Sequence, residues 1–217
     1  MKTRMLGSCG LEVSALGFSC MRYLADDGGL GREKCIALVK EAVDTGITLF
    51  DATEACIPFK NDDLIGQAFG SARSNVNIAV THTLSTNPES DPYARRPKSI
   101  RAAVEFLLKH LRMDVIDLFY VHQIAPDASV EDIAGEVGNL VSTGKLRYFG
   151  LSDANADTIR RAHTVYPVSV VQGEYSLWSR EPESRLFPNT GNTWNRIRGT
   201  QSVGARSFRR RTARCHP

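Results

Sequence analysis

The stretch DVIDLFYVH, residues 114–122, decides the fold. It has the apolar character of a short β-strand, and it ends in a polar side chain, that of His122. Amphipathic stretches with helical spacing lie on both sides of it, over residues 97–113 and 129–145. A strand between two helices predicts a βαβ unit, the repeating element of a parallel sheet.

The same alternation extends through most of the chain. Predicted strands begin near residues 14, 47, 76, 115, 146 and 168. Predicted helices cover residues 32–46, 61–70, 97–113, 129–145 and 154–165. Strands alternating with helices about every thirty residues indicate an α/β fold with a parallel sheet.

Two parallel architectures fit this pattern, an open Rossmann sheet and a closed (β/α)₈ barrel. No G-x-G-x-x-G motif follows the first strand, which weakens the Rossmann alternative. In a (β/α)₈ barrel the reactive side chains lie at the carboxyl ends of the strands. Polar residues close five of the predicted strands: Asp51, His82, His122, Ser152 and Gln172. Polar residues can simply mark strand ends, but five in register favour the barrel.

The composition is that of a globular protein, with 42% hydrophobic and 24% charged residues in 217. No segment is apolar enough to span a bilayer, and the N-terminus lacks the apolar core of a secretory signal. Five cysteines without a C-x-x-C pair favour free thiols over a disulfide framework or a zinc site. These features predict a cytoplasmic protein without a metal.

Several segments together resemble the aldo-keto reductases, and most of all the bacterial branch related to potassium-channel β-subunits. They are MKTRMLGSCGLEVSALGFSCM, ITLFDATEACIPFKNDDLIG, SIRAAVEFLLKHLRMDVIDLFYVHQ, GKLRYFGLSDANADTIRRAH and VVQGEYSLWSREPE. The resemblance covers residues 1–188 in unbroken order. It implies a (β/α)₈ TIM barrel with an N-terminal β-hairpin across its bottom, and NADP(H)-dependent reduction of aldehydes and ketones. A small carbonyl compound is the implied substrate.

The resemblance also implies a catalytic set of Asp, Tyr, Lys and His. Asp51 and His122 match the Asp and the His. The Tyr position, five residues after the Asp, holds Cys56, and the Lys position in a stretch like I-A-T-K falls on His82 of IAVTH. A cysteine or histidine is too short to take over from Tyr or Lys, because proton transfer needs hydrogen-bond contact with the substrate oxygen. We therefore expect an aldo-keto reductase with little or no activity.

The implied cofactor contacts come from the ends of several strands. They are Cys20, Met21, Asp51, Ser152, Asp153 and Gln172. Ser152 with Asp153 occupies the family's G-x-S-[NED] position, and Gln172 the position that holds the nicotinamide carboxamide. Ser152 and Gln172 could instead only cap the next loop. Binding of NADP(H) could be weak or absent.

The resemblance stops at residue 188, and residues 189–217 form an unrelated tail. The tail contains seven Arg and no Asp, Glu or Lys, which leaves 20 basic and 24 acidic residues in 1–188. It has no hydrophobic periodicity and is expected to be disordered. A frameshift after about residue 188 would explain it. The barrel would then be incomplete, with about six βα units and with open strand edges that favour aggregation.

Two other functions remain open at this point. The chain could be a catalytically dead module that binds a nucleotide or a partner, as channel β-subunits do in part. The Arg-rich tail could also neutralise nucleic-acid phosphates. The tail lacks interleaved aromatic residues and residues 1–188 are acidic, so nucleic-acid binding is not expected. Nothing in the sequence gives the oligomeric state.

Overall fold

The fold was analysed in a computed structural model. It describes residues 1–7, 9–20, 32–52, 68–84, 99–122, 124, 128–177, 179–186 and 196–200. The strands are β1 (Thr3–Leu6), β2 (Leu11–Ser14), β3 (Gly17–Ser19), β4 (Leu49–Asp51), β5 (Asn77–Thr83), β6 (Ile116–His122), β7 (Leu146–Ser152), β8 (Val170–Glu174) and β9 (Arg196–Thr200). The helices are α1 (Arg32–Asp44), α2 (Ile100–Leu111), α3 (Val130–Ser142), α4 (Ala156–Val165) and α5 (Pro182–Arg185), with a 3₁₀ helix over Gly70–Asn75.

Strands β3 to β9 form one parallel sheet in chain order. The sheet curls into a partial barrel, which confirms the predicted incomplete (β/α)₈ fold. Three helix starts are fixed by capping side chains, as the sequence pattern requires. Ser99, Ser129 and Asn155 accept hydrogen bonds from the backbone N–H groups of Ala102, Asp132 and Thr158, respectively.

The two faces of the sheet bury different sets of side chains. One face packs against helices α1 to α4 through residues such as Val80, Phe119 and Phe149. The concave face carries a smaller cluster, in which hairpin residues pack against the strands. This second cluster consists of Leu6, Leu11, Val13, Leu49, Ala79, Leu118, Tyr120 and Val170. The hairpin β1–β2 therefore covers one end of the barrel interior, as expected.

A glycine makes the close approach of this hairpin possible. Gly7 has a φ of 67°, and a Cβ on it would lie 2.4 Å from the carbonyl oxygen of Ser169. No amino acid other than glycine could adopt this φ and also fit so close to the carbonyl oxygen of Ser169. The hairpin turn is thereby seated directly against the segment that leads into β8.

A buried carboxylate connects three neighbouring strands near their amino ends. Asp117 is fully buried, and its Oδ2 accepts from Arg73 Nη2 at 2.8 Å and from the Ile78 N–H at 2.9 Å. Its Oδ1 lies 3.0 Å from Arg147 Nη1. Arg73 also donates to the carbonyl oxygen of Val115 at 3.1 Å. A buried charge needs such partners, and here they connect the 3₁₀ helix, β5, β6 and β7.

The expectation of a wholly disordered tail is wrong for residues 196–200. They form β9, which pairs in parallel with β8 from Val170↔Arg196 to Glu174↔Thr200. The physical reason is the row of N–H and C=O groups that the edge of β8 offers to another strand. The rest of the tail lies outside the described residues. Among the described residues, no helix has the length and apolar character needed to cross a membrane.

Candidate active site

Polar side chains form one row across four adjacent strands at their carboxyl ends. Thr83 pairs with His122, His122 with Ser152, and Ser152 with Gln172. Directly paired residues of neighbouring strands point to the same side of a sheet. His122 is two residues after Tyr120, which belongs to the concave cluster, so the row faces the barrel interior. The structure thus brings together three of the predicted site residues.

His122 is held at the rim of this interior. Its side chain is 22% exposed, and its Nδ1 lies 3.6 Å from Oδ2 of Asp153. The backbone of Asp153 is fixed because its N–H donates to the carbonyl oxygen of Gln172 at 2.9 Å. Asp153 has a φ of 52°, in the left-handed region that aspartate tolerates better than most residues. The carboxylate is thereby placed beside the histidine.

Asp51 and Cys20 form a second group, at the ends of β4 and β3. Asp51 is 4% exposed, and its carbonyl oxygen accepts from the N–H of Cys20 at 2.9 Å. It shares a face with Leu49, which belongs to the concave cluster. The thiol of Cys20 belongs instead to the large core cluster. Cys20 can therefore reach the barrel mouth through its backbone only.

His82 lies on the opposite face of the sheet from Asp51. Asp51 pairs with Ala79 of the concave cluster, and His82 is three residues further along β5. His82 is 1% exposed, and its ring stacks on Phe119 of the helix-facing core with 6.2 Å between the centroids. The sequence assigned the lysine position of the family pattern to His82, but this side chain lies in the helix-facing core and not on the face of Asp51. Thr81, with its buried hydroxyl, precedes His82 and faces the concave side.

Two predicted site residues, Cys56 and Met21, lie outside the described residues. Their predicted roles stay predictions.

A cavity of about 670 Å³ opens beside the row, between the carboxyl ends of β7 and β8 and the short helix α5. Its lining includes Gln172 and Asp153. Further carboxylates on its wall are those of Asp157, Glu174 and Glu181. The wall of the cavity is therefore rich in negative charge. The cavity suits a neutral hydrogen-bonding ligand group better than a phosphate.

The residues of the row fit the nicotinamide end of a dinucleotide. Ser152 is 6% exposed and Gln172 is half-buried, and a hydroxyl and an amide can donate to and accept from a carboxamide. Ser152 pairs with both His122 and Gln172 in the sheet register, so its side chain lies between theirs on the interior face.

Comparisons with known proteins agree with this architecture. The family model described as "Aldo/keto reductase family" matches residues 15–195. Three solved structures are similar: a thermostable aldo-keto reductase in complex with the inhibitor epalrestat (TM-score 0.78, 23% identity), the glycerol dehydrogenase AKR11B4 of Gluconobacter oxydans (0.77, 20%) and the aldo-keto reductase AKR11C1 of Bacillus halodurans in its holo form (0.77, 24%). The matches cover 91%, 92% and 91% of this chain and 71%, 63% and 65% of those chains, in the same order. At these sequence identities, the structural similarity is evidence for the fold alone.

The fold and the site define an α/β barrel protein with polar groups at the carboxyl ends of its strands. The match of the family model over most of the chain shows that it belongs to the aldo/keto reductase family. The match extends a little beyond residue 188, where the resemblance was expected to end.

Two features of the site, Thr81 and the cavity beside α5, were not predicted from the sequence. The signal for Thr81 was present, because IAVTH is one residue longer than I-A-T-K. Counting from Ile78 and Ala79 places the fourth residue at Thr81, on the concave face. The cavity depends on how α5 packs against the ends of β7 and β8, which strand and helix periodicity do not specify.

Proposed function

We propose that this chain is an oxidoreductase of the aldo/keto reductase type that binds NADP(H) and reduces small aldehydes and ketones very slowly or not at all. The observation that carries the proposal is the row of His122, Ser152 and Gln172 on three adjacent strands. Membership of the aldo/keto reductase family supports the reaction class.

The proposed binding role belongs to the polar groups of β7 and β8. Ser152 and Gln172 would hold the carboxamide of the nicotinamide from one side of the barrel mouth. When bound, NADPH would supply a hydride to the carbonyl carbon of the substrate. The buried position of Ser152 and the half-buried position of Gln172 favour hydrogen bonds that are shielded from water.

The proposed role of His122 is to orient the carbonyl group of the substrate. It lies directly beside Ser152 in the sheet register and on the same face. A substrate oxygen next to His122 would therefore lie close to a nicotinamide held by Ser152. Such placement lowers the barrier by fixing the geometry of the reacting groups.

The proposed slow turnover rests on the loss of two groups of the family pattern, the tyrosine that donates a proton and the lysine beside it. Cys56 occupies the tyrosine position of the family pattern. Among the described residues, no lysine lies on the concave face of β5, which carries Thr81. General acid catalysis contributes roughly 10²–10⁴-fold when the donor is in contact with the reacting oxygen. We therefore infer a loss of at least this size.

The test is consumption of NADPH by the purified chain with a panel of small aldehydes and ketones. The expected result is a rate at or near that of the reaction without protein, together with measurable NADPH binding. A double variant, Cys56→Tyr with Thr81→Lys, should raise the rate, and Cys56→Tyr with Thr81→Met, which adds a long side chain without the ammonium group, is the matched control that should not. Rapid turnover by the wild-type chain would refute the proposed loss of activity.

A further inference from the structure

The geometry at the end of β6 bears on which ring nitrogen of His122 carries the proton, which the proposed function does not specify. The Nδ1 atom of His122 is buried, and among the described residues it makes no hydrogen bond. Oδ2 of Asp153, at 3.6 Å, is the charged atom recorded next to it. A buried ring nitrogen ordinarily has a partner, so this distance requires an explanation.

The position of Asp153 is determined by its backbone rather than by the contact with His122. Its N–H donates to Gln172, and its left-handed φ of 52° turns the residue back at the end of β7. Its Oδ1 lies above Gly173, 3.5 Å from where a Cβ on that glycine would be. The carboxylate thus extends between the ends of β6 and β8, with Oδ2 directed at His122.

Only a small movement separates this arrangement from a hydrogen bond. The side chain of Asp153 is 57% exposed, so it can rotate without displacing packed neighbours. Hydrogen bonds of catalytic groups are often long in a ligand-free site and tighten when a ligand binds. Shortening by a few tenths of an ångström would bring Nδ1–H and Oδ2 into hydrogen-bond range.

We infer that Asp153 is a positioning residue for His122, and that it selects the neutral tautomer with the proton on Nδ1. A carboxylate can only accept, so the ring nitrogen facing it must carry a hydrogen. The hydrogen bond made by one ring nitrogen sets the protonation of the other. In this tautomer Nε2 of His122 accepts a hydrogen bond from a ligand hydroxyl, such as that of an alcohol product, or from an amide N–H. It cannot donate to a carbonyl oxygen, so His122 would orient a substrate carbonyl through packing contact alone.

The test is the tautomer of His122, which is read from long-range ¹H–¹⁵N correlation spectra of the full chain labelled with ¹⁵N-histidine at neutral or slightly alkaline pH. The chain has five histidines, and loss of one signal in a His122→Gln variant identifies the relevant one. The wild-type spectrum should show a protonated Nδ1 and an unprotonated Nε2 for His122. No cofactor is needed, so this test can fail while NADPH binding succeeds, and the reverse.

A variant and a matched control separate positioning from general electrostatics. Asp153→Gly removes the carboxylate and suits the left-handed φ, and it should shift His122 from mainly Nδ1–H to mainly Nε2–H. Asp157→Asn removes one charge from the wall of the same cavity and should leave the tautomer unchanged. A wild-type His122 protonated on Nε2 would overturn the inference even if the glycine variant did not fold. An unchanged tautomer in Asp153→Gly, or an equal shift in Asp157→Asn, would overturn it as well.

Discussion

Asp51 and His82 lie on opposite faces of the parallel sheet. Asp51 shares its face with Leu49 of the concave cluster, while His82 stacks on Phe119 in the helix-facing core. Thr81, like Ala79 and Thr83, therefore lies on the same side as Asp51. A lysine that pairs with Asp51 can be placed at position 81 but not at position 82.

The first prediction concerns a lysine at these two positions. His82→Lys would place an ammonium group in an apolar core and should lower the unfolding temperature sharply or abolish folding, because an unpaired buried charge costs several kcal/mol. Thr81→Lys would place the same group on the face of Asp51 and should be tolerated. Thermal unfolding followed by circular dichroism measures both. Equal tolerance of the two lysines would contradict the assignment of faces.

The second prediction concerns the buried carboxylate of Asp117. Asp117→Asn should lower the free energy of unfolding by about 3 kcal/mol, because it leaves two arginines and a strand N–H without their charged acceptor. Arg147→Gln is the control. The Arg147 side chain is 57% exposed, so its loss should cost about 1 kcal/mol or less. Urea unfolding gives both values. Similar losses in the two variants would contradict the prediction that the buried carboxylate stabilises the fold more than its exposed partner does.

The third prediction concerns the contact between Gly150 and Tyr120 in the barrel interior. A Cβ at position 150 would lie 2.4 Å from Cδ1 of Tyr120, whose ring is fully buried. Gly150→Ala should therefore destabilise the fold by about 1–3 kcal/mol through overpacking. Gly135→Ala is the control, since its Cβ would meet only Val165 Cγ1 at 3.9 Å and a helix favours alanine. A tolerated Gly150→Ala would show that Tyr120 is free to move.

The fourth prediction concerns pH and the ion pair between helices α3 and α4. Arg161 donates to both carboxylate oxygens of Glu131, at 2.7 and 2.8 Å, and these hydrogen bonds hold the pKa of Glu131 below its ordinary value. The resulting stability is present above the pKa of the unfolded chain and is lost as the pH falls through the folded pKa. Because the pair is exposed, the effect is small.

Unfolding free energies measured across the acidic range test this fourth prediction. Glu131→Gln should make stability fall less steeply with decreasing pH, and Arg161→Gln should have the same effect because Arg161 causes the pKa shift. A change in only one of the two variants would mean that another partner stabilises the glutamate.

Much of the fold could be predicted from periodicity and strand-end chemistry. The predicted strand at 146–152 has the bounds of β7, Leu146–Ser152, because a run with leucine and aromatic residues, LRYFGLS, begins where Gly144 and Lys145 end the preceding turn. Helix bounds were less accurate. The helix predicted from residue 97 begins at Ile100, because Ser99 caps it.

Parts of the fold and of the candidate site were not predictable, for three physical reasons. The faces of β5 depend on a period of two, so an offset of one residue moved the prediction from Thr81 to His82. The strand β9 depends on the edge of β8 and not on any pattern of its own. The contact of Asp153 with His122 depends on a left-handed backbone turn, which periodicity does not show.

Ser152 and Gln172 are proposed to form the nicotinamide site. The most direct measurement is thermal unfolding of the purified chain with and without NADPH, in the wild type and in a Ser152→Ala/Gln172→Leu variant. At about a hundred times the dissociation constant, a bound ligand adds roughly 2.7 kcal/mol to the stability of the fold. We expect a cooperative transition whose midpoint temperature rises with NADPH in the wild type and not in the variant. A wild-type transition that NADPH leaves unchanged, or an equal rise in the variant, would contradict it.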